Sequence, residues 1–188
     1  MVIIGIGGSI AAGILVGGIG SRLIMRILAM VNEENAGVTT GNGNISGEIT
    51  ASGTLGLIIF VGLASGIIGG FVYVMIRRWL PGGGLLKGVA FGLVLLCFSG
   101  ITPPGLAPLF DPDNVDFALF GPRQLSVGLF LLMFLLYGVV VSLFVERYDK
   151  YVPPLFTRSS ITVLGYLLIA GLCAFGLFRT VPVINAIV

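Results

Sequence analysis

An all-α, polytopic transmembrane bundle of about five spans is the fold class this sequence predicts, and three observations predict it. Charged residues make up 10% of the chain and hydrophobic ones 56%, whereas soluble domains carry about a quarter charged residues. The mean hydropathy is +1.11. The apolar runs are long enough to cross a bilayer and end in interfacial residues: Thr54 to Ile76 holds no charge and is followed by Arg77-Arg78-Trp79. As a helix that run measures roughly 34 Å, against a hydrocarbon core of about 30 Å. Finally, glycines recur at helical spacing, which suits close helix packing in lipid.

Composition excludes several functions. The net charge of +2 is small and hides an asymmetry taken up below; it does not mark a nucleic-acid binder. The chain contains no histidine, which removes the usual axial haem ligand, the imidazole metal ligand and the commonest proton shuttle. Cys97 and Cys173 each lie inside an apolar run and form no CxxC pair, so they read as buried thiols. No cofactor, metal site or catalytic residue is expected, and the 188 residues suit a single transmembrane domain.

The first span covers about 2–30. It lacks a basic n-region and reads as a retained helix rather than a signal peptide. Gly13 and Gly17 offer a small-residue face for another helix, and Arg22 and Arg26, four residues apart, share a face at its far end. Three readings are open for this pair: contact with an anion or lipid head group, a clamp on an acidic loop, or simple snorkelling to the interface. Arg26 lies nearer the loop that follows, so an effect of substitution is expected there and tolerance at Arg22. Residues 32–53 are polar and carry Glu33, Glu34 and Glu48. Asn42-Gly43 permits a short hairpin within them.

In the second span, about 54–77, Gly62, Gly66 and Gly70 line one face. Gly82-Gly83-Gly84 bends the chain into the third span, about 85–102, whose Gly88 and Gly92 repeat the spacing. The second and third spans, joined by so short a turn, are expected to pack tightly on each other. Thr102-Pro103-Pro104 stops the third span. The connection that follows reads either as an interfacial loop or as backbone lining a cavity. Its Asp111, Asp113 and Asp116 are interrupted by proline and read as solvated rather than as a cation site. The fourth span covers about 124–146 and closes on Glu146 to Tyr151; the fifth covers about 160–179.

Loop charges set the orientation. The connections after the second and fourth spans carry Arg77, Arg78, Lys87, Arg147, Lys150 and Arg158 against Glu146 and Asp149; the opposite side carries an acidic excess. By the positive-inside rule the N-terminus is cytoplasmic and the C-terminus extracytoplasmic.

The stretches SGTLGLIIFVGLASGIIGGFVYVMIRRWLP and NVDFALFGPRQLSVGLFLLMFLLYGVVVSLFVE, with Met25-Arg26, resemble a group of uncharacterised small multi-pass bacterial integral membrane proteins. The resemblance covers about half the chain and rests on packing and topology residues. It implies this architecture and a bacterial inner membrane, and no activity.

Three functional classes compete. A structural or accessory subunit of a larger membrane complex is favoured by the glycine-faced helices and the absence of a reactive constellation, with a Gly13/Gly17 face expected to meet other integral membrane proteins. A small transporter or membrane-embedded substrate-binding component is permitted by size. An intramembrane enzyme has only hydroxyls to offer (Ser65, Ser99, Ser126, Ser142, Thr162), and membrane hydroxyls usually bond the preceding turn.

Overall fold

The computed structural model describes residues 2–31, 37, 50–99, 122–147 and 159–187. Five helices account for most of them. Helix α1 comprises Val2–Ala12, a π-helical run Gly13–Gly20 and Ser21–Val31. Helix α2 repeats that plan with Ala51–Gly56, a π-helical run Leu57–Leu63 and Ala64–Ile76. Helices α3 (Leu85–Ser99), α4 (Arg123–Arg147) and α5 (Ser159–Ile187) are α-helical.

Four of these are long and apolar enough to cross a membrane, over Ile6–Val31, Ala51–Ile76, Gln124–Arg147 and Val163–Pro182; α3 is apolar but shorter. Its 15 residues rise about 22 Å. The hairpin expected around Asn42-Gly43 and the connection with Asp111, Asp113 and Asp116 lie outside the described residues.

Local chemistry explains the ends. The Thr50 hydroxyl accepts from the Gly53 N–H at 3.4 Å, so α2 starts at Ala51, three residues before its apolar run. At its other end α2 gives way to a turn in which Gly82 (φ 77°) and Gly84 (φ 58°) adopt left-handed conformations open to glycine. Pro182 does not end α5; it deprives the Phe178 carbonyl of its usual N–H donor within a helix that continues.

The helices assemble as two antiparallel pairs. In the first, Gly62, Gly66 and Gly70 of α2 lie against α1: a methyl on Gly66 would stand 2.6 Å from the Ile10 Cα, and one on Gly70 2.7 Å from the Ser9 Cβ. In the second, Gly88 and Gly92 of α3 face α4, where methyls would stand 2.5 Å from the Val139 Cα and 2.6 Å from the Phe134 carbonyl oxygen. Gly138 answers from the α4 side.

The expected glycine seam between α2 and α3 is therefore corrected: each helix spends its glycines on a different partner. Between α2 and α3 stand aromatic rings instead. Tyr73 and Phe91 meet edge to face at 4.8 Å, and rings of that size hold backbones apart. The core lies where α2, α3 and α4 converge and includes Tyr73, Ile76, Phe91, Tyr137, Val141 and Val145. Helix α5 lies at the edge. Gly165 receives the Trp79 indole and Gly176 fits against the Cys97 carbonyl, while most of the remaining surface of α5 is exposed.

Candidate functional site

A connected set of polar groups lies where the α2–α3 turn meets the last turns of α4. Tyr73 on α2 donates to the Ser142 hydroxyl on α4 at 3.1 Å, and Ser142 in turn donates to the Gly84 carbonyl at 3.0 Å. One Glu146 carboxylate oxygen accepts the Gly84 N–H; the other lies 3.3 Å from the Lys87 ammonium. Both peptide groups of the turn glycine are thus held by α4.

The reason is local. Ser142 and Glu146 are four residues apart and share a face of α4. The left-handed Gly84 turns its N–H toward that face, and its carbonyl accepts both from Ser142 and from the Gly88 N–H of the first turn of α3. A little deeper, Tyr137 donates to the Ser65 carbonyl at 3.0 Å. Its phenol sits where a side chain on Gly69 would be.

Chemically the cluster braces the fold. Glu146 is neutralised by Lys87, and Ser142 is engaged both as donor and as acceptor. A hydroxyl held in this way is not poised as a nucleophile, which would need a base at its own proton. The sequence places these hydroxyls on the preceding turn; Ser65 behaves so, donating to Gly62 at 3.3 Å, whereas Ser142 reaches across to Gly84. The signal available in the sequence was polarity in an apolar run, since Tyr137 and Ser142 are among few polar residues in α4.

The sequence-derived sites fall in three places. Gly62, Gly66 and Gly70 meet Gly13, Ile14, Ile10 and Ser9; Gly88 and Gly92 meet α4. Gly13 packs on Gly62 and Gly66, and Gly17 is buried within the same helix. The expectation that the Gly13/Gly17 face is left for another protein is corrected, because α2 of the same chain already covers Gly13.

Arg22 and Arg26 differ in burial. Arg22 is 8% exposed whereas Arg26 is exposed. The inward face of Ser21–Val31 runs through Arg22, Leu28 and Ala29, which leaves Arg26 at the margin. The burial of Arg22 favours sensitivity there over Arg26, opposite to the order expected from nearness to the loop.

Cys97 and Cys173 are free thiols on α3 and α5; Cys97 is buried and Cys173 half-buried. Comparison with protein-family models, curated proteins and solved structures found no match.

Proposed function

We propose that this chain is a non-catalytic integral membrane protein of a bacterial inner membrane, serving as a structural or accessory subunit of a larger membrane assembly. The N-terminus lies in the cytoplasm, on the reading of loop charge given above. The observation that carries the proposal is the uneven use of small residues. Those of α1–α4 are largely consumed within the chain, whereas α5 presents Ala170, Gly171 and Ala174 outward, and Gly171 has open space around it.

Large apolar side chains on α5, such as Leu164 and Leu167, are satisfied by lipid. Small residues gain van der Waals contact only when another helix comes close. The free face of α5 is accordingly the seat for a transmembrane helix of the assembly. This replaces the face on α1 that sequence reasoning favoured.

Purification from native membranes in mild detergent tests it. The wild type is expected to bring a partner with it, and the Gly171→Leu, Ala174→Leu double variant to insert and fold but lose that partner. A second reading, a small transporter or membrane-embedded substrate-binding component, is favoured by one observation: a charged Arg22 buried in a transmembrane helix. A wild-type protein that purifies alone and gives saturable solute uptake in liposomes would establish that reading instead.

A further inference from the structure

Two π-helical runs in one small chain are unusual, since π geometry generally appears as single-turn bulges. Here the runs are eight and seven residues long, and they face each other. A methyl on Gly18 of the first would stand 2.9 Å from the Ile58 side chain of the second, and Gly13 lies on the Gly62 carbonyl. Both helices depart from α geometry at the same level of the bundle.

The geometry points to a rotary joint: the facing π runs let the outer end of α1, Ser21–Val31, turn relative to Val2–Ala12. Three features support it.

The first is hydrogen bonding. Deep in a bilayer no water can take up a freed backbone group, so a helix can move only by exchanging bonds in place. Conversion between i→i−5 and i→i−4 pairing does this, each N–H passing from one carbonyl to the next. Where a π run gives way to an α-helix, the ladder passes over one carbonyl. At the end of the first run the Ser21 hydroxyl donates to the Gly17 and Gly18 carbonyls, the second at 2.9 Å. A local donor therefore stands at the point where one is required.

The second is the smoothness of the contact. Gly13 of α1 meets Gly62 of α2 backbone to backbone, and Gly18 offers only backbone to the Ile58 side chain, so few interlocked side chains must pass one another at this level when α1 turns.

The third is what the joint carries. An α-helix winds more per residue than a π-helix, so tightening the first run turns everything beyond Gly20. Arg22 is buried and Arg26 exposed in the present state; turning the segment changes which of its residues face the bundle. The inference does not rest on the accessory-subunit assignment.

Spin-label distances test it. The full chain, with Cys97→Ala and Cys173→Ala, is labelled at Met30→Cys on the outer end of α1 and at Gly128→Cys on α4, both exposed positions, and measured in lipid nanodiscs. Two distance populations are expected in this background. Ser21→Ala, which removes the hydroxyl at the π-to-α junction, should change their ratio by about threefold or more. Deleting Ile19, a lipid-exposed residue of the run, should leave one population. A single narrow distance that Ser21→Ala does not move overturns the joint, whether or not the deletion variant folds.

Discussion

At the scale of single residues, the fold depends on a few polar side chains whose worth comes from what they would leave behind. Glu146 accepts the Gly84 N–H and pairs with a partly exposed Lys87. An ion pair of that exposure contributes about 0–1 kcal/mol, whereas a buried N–H left without an acceptor costs about 1–3 kcal/mol. Glu146→Gln, which keeps an acceptor, should therefore lower the midpoint of thermal unfolding in detergent far less than Glu146→Ala. Equal losses would mean that the charge, and not the turn, is what Glu146 serves. Arg22 and Arg26 give the complementary comparison. Arg22→Gln removes a buried head group that is engaged within the fold and should cost about 1–3 kcal/mol. Arg26→Gln alters an exposed one and should stay within about 0.5 kcal/mol. Thermal unfolding of the two variants side by side decides it, and a larger loss at Arg26 would contradict the burial pattern.

At the scale of helices, glycine placement decides which elements meet. Gly66 has backbone where a Cβ would go, whereas Gly128 of α4 has nothing within 4 Å. The same change should then have opposite signs. Gly66→Ala must push α1 away, at a cost of about 1–3 kcal/mol; Gly128→Ala adds helix propensity against no obstacle and should be neutral or stabilising by up to about 1 kcal/mol. Loss of stability in both would remove the seam as the explanation. The existence of helices and their glycine faces was legible in the sequence, because apolar length and four-residue spacing are local properties. The pairing was not. A four-residue glycine repeat says that a helix has a close neighbour but not which one, and the short turn made α3 the obvious candidate for α2. What overrode it was the bulk of Tyr73 and Phe91 between them, a long-range fact. The polar cluster escaped for the same reason: Gly84, Lys87, Ser142 and Glu146 come together only after α4 has folded back onto the turn. The burial of Arg22 was not legible because i,i+4 spacing places two residues near one another but does not say where the buried face is centred.

At the scale of the whole molecule, the contact of Glu146 with Gly84 and Lys87 puts the α2–α3 turn and the C-terminal end of α4 at one end of the bundle. The loop-charge orientation then predicts that Cys introduced at Gly83 is shielded in intact cells from an impermeant thiol reagent, while Cys at Asn42 is labelled. Labelling at Gly83 alone would invert the protein in the membrane. The pairing of consecutive helices has a further consequence, for biogenesis. Because α1 closes on α2 and α3 on α4, each of these helices finds its glycine partner either already inserted or next in line, so neither of these two seams must wait for the end of synthesis. Helix α5 arrives last and covers little. A chain released after Arg147 would already hold every partner of its glycine seams and the whole Tyr73–Ser142–Gly84 chain, with Trp79 left bare to the lipid.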